Sequence, residues 1–213
     1  MKKKLLTMAL AGSFIFGVAA CGKDNTGDQD KQQEQQQINY QFEDGTYGYN
    51  VIDETNAKVE VAVVVAKDLK TATVPSKVTK DNKEYTVTKI GKSAFKDNDT
   101  ISTITLPSTL TEIDDYAFYR LGRVYEVTVP FSVTRIGKHA FYYMGCNFQG
   151  GATTLTYVKL NASNPTAITQ EHMLGEGLDV NSNQVRIVVR ASALQNFKTA
   201  WSEYADFIVS QAN

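Results

Sequence analysis

The chain has 213 residues, 42% of them hydrophobic, with 22 basic and 23 acidic side chains and a formal net charge of −1. That balance supplies no basic field to collect nucleic acid, and without the three lysines near the N-terminus it moves to about −4. Two cysteines exclude a disulfide-framed miniprotein, and beyond one N-terminal stretch no apolar run reaches transmembrane length.

Lys2, Lys3 and Lys4 precede an apolar stretch from Leu5 to Ala20. It is short for a stable span, and residues 1–20 are expected to be a signal peptide. The closing residues Val18, Ala19, Ala20 and Cys21 resemble the lipobox of bacterial lipoproteins. The resemblance implies a diacylglycerol on the Cys21 sulfur, cleavage just before it, and attachment to a membrane by lipid. From Gly22 to Gln37 the chain has no large apolar residue and ends in a glutamine-rich run. Such a segment cannot bury enough surface to offset its ordering entropy, so residues 21–38 are expected to be a flexible tether. With Cys21 lipidated, Cys146 has no intramolecular partner; a buried small apolar residue is the expected role, against a reactive nucleophile or a dimer link.

One domain is expected over 39–213. Its first part, 39–86, reads as an N-terminal cap. Tyr47, Tyr49 and Val51 alternate, as do Val59, Val61, Val63 and Val65, with turn residues Asp53 to Asn56 between them. That pattern predicts a hairpin. Thr73, Val74 and Pro75 read as a first degenerate strand, and Asp81 to Lys83 as a turn before Tyr85 and Val87.

Residues 87–160 repeat. Ile90, Gly91, Lys92, Ser93, Ala94 and Phe95 return as Ile113, Asp114, Asp115, Tyr116, Ala117 and Phe118, and again as Ile136, Gly137, Lys138, His139, Ala140 and Phe141. The spacing is 23 residues both times. Ile101, Ile104, Leu106, Pro107 and Leu110 map in the same register onto Val124, Val127, Val129, Pro130 and Val133. In the third copy the apolar set Leu155, Val158 and Leu160 is displaced by a glycine-containing insertion around Cys146 to Ala152. Within a unit, Ile104 and Leu106 alternate with threonines as a short strand that Pro107 ends. No single coil can cover its own apolar side, so units must stack, with strands in a parallel sheet and phenylalanines in an internal column. The expected fold is a mainly β repeat solenoid, a right-handed arc of 23-residue units with a β-hairpin cap and a helical cap.

The pattern from Ile101 to Phe118, Ile-x-x-Ile-x-Leu-Pro-x-x-Leu-x-x-Ile-x-x-x-Ala-Phe, resembles the leucine-rich repeats of BspA-like bacterial surface proteins. The likeness covers Val74 to about Leu160; of the family's Cys or Asn three residues after Phe the chain has Asn98, but then departs with Leu121 and Met144. It implies a leucine-rich-repeat fold and a cell-surface setting, with binding or adhesion as the function by analogy.

The final part, 161–213, is expected to be a C-terminal cap. Val185 to Val189 reads as a last strand; Ser192 and Gln195 then form a capping box before Leu194, Phe197, Trp201, Tyr204 and Ile208 at helical spacing. Trp201 is expected in the core.

Catalytic signatures are missing. Neither His139 nor His172 has a partner at metal-ligand spacing, and no Gly-x-Ser-x-Gly elbow occurs. Gly91, Lys92 and Ser93 copy the end of a phosphate-binding loop, but Thr86 stands where its first glycine is required. Asp114 and Asp115 are expected in a solvated turn, and His139 as an exposed bystander. No enzyme activity, metal or cofactor is expected. What remains is a face: Tyr116, Tyr119, Tyr125, Phe131, Tyr142 and Tyr143, with Arg120, Arg123 and Arg135 nearby. Tyrosine and arginine favour binding surfaces because they join large contact area to polar tips. The expected partner is a host or bacterial surface protein, or a polysaccharide, engaged by a monomer; a structural envelope lipoprotein without a ligand is the other reading.

Overall fold

The computed structural model describes residues 39–145, 155–176 and 185–211. The expected signal peptide and tether, with Cys21, and the insertion with Cys146 lie outside the described residues.

Strand β1 (Phe42–Glu43) pairs antiparallel with β2 (Tyr47–Asp53), which turns back into β3 (Lys58–Val64) with Val51 opposite Val59 and Tyr49 opposite Val61. Asp53 closes that turn, its carboxylate accepting the Asn56 N–H at 2.9 Å. Period-two alternation buries Tyr47, Tyr49, Val59 and Val61 on one face. After β4 (Thr71–Thr73), strands β5 (Lys77–Lys80) and β6 (Lys83–Ile90) form a second hairpin. Its turn residues Asp81 and Asn82 both take positive φ, which short polar side chains tolerate best. From here every pairing is parallel.

Each coil then contributes to one of two strand columns. In the first, β6 lies beside β3 and is followed by β8 (Glu112–Ile113), β10 (Arg135–Ile136) and β12 (Thr169–Gln170). The register places Ile90 opposite Ile113 and Ile113 opposite Ile136. In the second column, β7 (Thr103–Thr105) pairs with β4, and β9 (Glu126–Val129), β11 (Thr156–Leu160), β13 (Val185–Val189) and β14 (Ile208–Ser210) form a four-stranded sheet. Val127, Val158, Ile187 and Ile208 share one line across it, all buried. Between the columns the rings of Phe95, Phe118 and Phe141 follow one another at 5.2 and 5.4 Å, and Tyr47 opens the series 5.9 Å from Phe95.

A further coil continues this pattern where the sequence shows only weak similarity. The Phe141 N–H donates to the Met173 carbonyl, and Gly175 closes onto His172 as Tyr142 closes onto His139. Met173 and Leu174 therefore take the places of Ala140 and Phe141 in the core.

Three expectations are corrected. Leu155 is not a core position: it is 36% exposed, and the neighbouring Thr156 is buried with its hydroxyl 3.4 Å from the Val124 carbonyl. The closing helix is not continuous to Ile208. A 3-10 turn at Ala191–Ala193 leads into α1 (Leu194–Ala200), Trp201 leaves helical geometry at φ −111° and ψ 57°, and Ser202–Tyr204 is again 3-10. Ile208 and Val209 belong to β14, because pairing with β13 and burial of Ile208 outweigh the helical spacing. No side chain caps α1, whose N-cap is Ala193, so the Ser192 and Gln195 box does not form. Trp201 is buried against Phe197, their rings 5.0 Å apart.

The third correction concerns Asp114 and Asp115, which are not a solvated turn. Asp114 is half-buried and bonded to Lys89 at 2.7 Å and to Arg135 at 3.4 Å. Lys89 also reaches Glu112 and Glu60, and Arg135 reaches Glu112 at 2.6 Å, so the network joins three successive coils. Asp115 accepts the Lys138 N–H at 2.9 Å. Gly137 lies so close that a Cβ there would sit 2.5 Å from the Asp115 nitrogen. Burial pushes the Asp114 carboxyl upward, but the Lys89 ammonium, the Asp115 N–H and Arg135 together hold it below the usual carboxylate range.

Two outcomes follow for stability. Phe118→Ala removes the middle ring of the column and is expected to cost about 3–5 kcal/mol in denaturant unfolding, with little change where the column is untouched. A lowered folded-state pKa stabilises above the unfolded carboxylate value and loses that contribution as pH falls, so melting temperature should drop below about pH 4. Asp114→Asn should flatten that drop. Lys89→Met, leaving three carboxylates together, should cost about 1–2 kcal/mol at neutral pH after allowance for partial screening.

Candidate interaction surface

The turn carrying the repeated Ala-Phe pair is built on two left-handed residues per unit. Ser93, Tyr116 and His139 have φ of 58°, 57° and 55°, and Asp97, Arg120 and Tyr143 have φ of 56°, 58° and 58°. This geometry points alternate N–H groups out of the coil. Ser93, Phe95 and Asp97 donate to the carbonyls of Asp115, Ala117 and Tyr119; Tyr116, Phe118 and Arg120 donate to Lys138, Ala140 and Tyr142. The remaining N–H groups bond back within the turn, as Tyr119 does to Tyr116. Ala and Phe side chains then face inward, and the side chains at the left-handed positions face the rim.

There the aromatic residues meet. Tyr116 lies edge-on to Tyr119 at 5.6 Å and to His139 at 5.1 Å; His139 lies 5.1 Å from Tyr142. Tyr119 is 6.0 Å from Tyr142 and 6.1 Å from Tyr143, and Tyr142 and Tyr143 stack at 4.0 Å. Lys96 places its ammonium 5.3 Å from the Tyr119 ring centre and 5.9 Å from that of Tyr116. All four tyrosines are half-buried. His139 is thus no exposed bystander: it is a rung of this ladder, and burial, with the Lys138 charge, lowers its pKa, which keeps the imidazole neutral at neutral pH.

The cations around the ladder have partners. Arg120 pairs with Asp97 at 3.1 Å and Lys138 with Glu176 at 2.8 Å. Arg135 is held in the Asp114 network. Beyond Lys96 the rim opens into a depression of about 480 Å³ lined by Val64, Lys67, Asp68, Ser93, Lys96 and Thr100, among others.

The remaining candidates lie elsewhere. Tyr125 and Phe131 flank β9 on the strand side, 50% and 72% exposed, and Arg123 is exposed before them. The sequence therefore proposed one face where the structure has two. Lys96 and His139 were the omissions. Their signal was present in the period: His139 shares its repeat position with Tyr116, so the two had to be neighbours along the stack.

Among the described residues no group of three or more His, Cys, Asp and Glu is arranged to hold a metal ion, and no helix is long and apolar enough to cross a membrane. No curated protein matches the chain. The chain is similar in fold to the crystal structure of a leucine-rich repeat protein from Bacteroides capillosus, at 20% identity and a TM-score of 0.50 over 68% of this chain and 96% of that one. It is also similar to that of a leucine rich cell surface protein from Faecalibacterium prausnitzii, at 21% identity and a TM-score of 0.50, covering 72% of this chain but 43% of that one. Residues 68–149 match the family model of the BspA type leucine rich repeat region in six copies. The stretch that matches this model includes the turns on which Tyr116, Tyr119, His139, Tyr142 and Tyr143 stand.

Proposed function

We propose that this protein is a cell-surface binding module, held at the envelope by lipid on Cys21 and presenting its repeat surface to a macromolecular partner. In this reading the stack is a solenoid of 23-residue units, the hairpins before β7 cap one end, and the segment from Ala191 to Ser210 caps the other. The observation that supports it most is where the aromatic side chains stand. A left-handed backbone costs a residue with a Cβ roughly 1 kcal/mol or more, and glycine or asparagine would occupy such positions at lower cost. Tyr116, His139 and Tyr143 occupy them instead. Large rings kept at strained, half-exposed turns are explained by contact with something outside the chain.

The half-burial of the tyrosines favours a second reading, in which the rings only seal the gaps between coils and the protein is a structural component of the envelope. The two readings separate by experiment. Full-length protein purified in detergent is expected to bind members of an extracellular-matrix protein and glycan panel, with Tyr116→Ala and Tyr119→Ala weakening the affinity. Uniform blanks would favour the structural reading. Attachment is tested on cells fed a palmitate analogue: the wild-type chain should take up label and Cys21→Ser should not, and label persisting in the variant would refute the anchor.

A further inference from the structure

We infer that the ladder of Tyr116, Tyr119, His139, Tyr142 and Tyr143, with the depression beyond Lys96, is a binding site for an uncharged polysaccharide lying along the stacking axis. This rests on the surface-binding reading above and narrows it to one class of partner.

Three observations converge on that chemistry. First, the rings are presented in series. Tyr119 and Tyr142 come from neighbouring coils at 6.0 Å with their planes tilted by 53°, as do Tyr116 and His139 at 5.1 Å and edge-on at 87°, a step along the stack comparable to one pyranose unit. A sugar ring has C–H groups on its faces and hydroxyls around its rim, and aromatic faces attract such C–H groups. Second, the ladder is electrically closed. Arg120 is engaged by Asp97, Lys138 by Glu176, and Lys96 sits over two tyrosine rings. The imidazole of His139 contributes no charge at neutral pH. A polyanion would have to compete with the Asp97 and Glu176 carboxylates for these cations, whereas a neutral chain leaves both ion pairs in place. Third, the apolar strip runs into a polar one. Lys96 belongs to both the ladder and the depression, and Lys67, Asp68, Ser93 and Thr100 line the latter. Stacking platforms beside a row of hydroxyl, ammonium and carboxylate groups suit a ligand that is apolar on its faces and hydroxylated at its edges.

The strand-side patch of Tyr125 and Phe131 lacks this combination. Its two rings stand at opposite ends of β9.

The test uses full-length protein in detergent. Titrations with neutral oligosaccharides of glucose, xylose and mannose of increasing length are compared with titrations with heparin, an anionic polymer, and with an extracellular-matrix protein panel. At least one neutral series is expected to bind, more tightly as length increases until the ladder is spanned. Loss of one ring in Tyr119→Ala or Tyr142→Ala should weaken that binding about three- to ten-fold, while Tyr142→Phe, which keeps the ring, should stay near wild type. Tyr142 packs against Gly175, so Tyr142→Ala is checked by thermal melting. If it fails to fold, the exposed pair Lys67→Ala and Asp68→Gly in the depression carries the test, Asp68 standing at a left-handed φ of 58° that glycine adopts freely, with weaker binding expected and no loss in melting temperature. Binding to heparin alone, or neutral-glycan binding that neither set of variants alters, overturns the inference. Binding only to matrix proteins, reduced by the ring variants, overturns it while leaving the surface-binding reading intact. No binding to any probe defeats both.

Discussion

A coil of this chain cannot stand alone, because its apolar side and half its turn N–H groups face outward along the stack. The bonds from Ser93, Phe95 and Asp97 to Asp115, Ala117 and Tyr119, repeated one coil later, satisfy those groups only when a neighbour is present. The phenylalanine column obeys the same condition, since Phe95 lies between Tyr47 and Phe118, and Phe118 between Phe95 and Phe141. Stability is therefore a sum over adjacent coils. Two antiparallel hairpins precede the stack, and Tyr47 stands 5.9 Å from Phe95. At the finish a broken helical segment buries Phe197 and Trp201 and returns a last strand to the sheet.

The same left-handed turn decides what the surface can carry. It recurs with the repeat, so any side chain placed on it recurs along a line, and neighbouring coils bring these side chains within ring-contact distance. The chain uses the two lines differently from coil to coil. Serine and aspartate stand on the first unit, tyrosine and arginine on the second, histidine and tyrosine on the third. A polar opening thus grades into an aromatic surface along one direction. On another face, Lys89 and Arg135 tie together carboxylates from successive coils and have no part in the ladder.

Much of this was legible in the residues because periodicity is a physical constraint. Ile90, Ile113 and Ile136 had to align once the unit length was known, and so did Phe95, Phe118 and Phe141. The hairpin of Tyr47 to Val64 was equally legible from alternation. What escaped was whatever the period does not encode. Met173 and Leu174 continue the core in a coil whose sequence has drifted, and only the bonds of Phe141 and Gly175 reveal the match. The spacing of Leu194 to Ile208 was truly helical, yet Ile208 found a better partner in β13. Asp114 looked like a turn residue because its sisters are glycine; its partners Lys89 and Arg135 come from the coils before and after. For the candidate surface, residue type was informative but side was not, since Tyr125 and Phe131 flank a strand while Tyr116, Tyr119, Tyr142 and Tyr143 gather on the turns.

Register shows where the chain tolerates length. Ile113 meets Ile136 at the repeat spacing, yet Val127 meets Val158 after a longer run, and the strand pairing on either side of that run is undisturbed. The second column therefore accepts a longer connection between β9 and β11 than the first does between β8 and β10, with no shift of register in either.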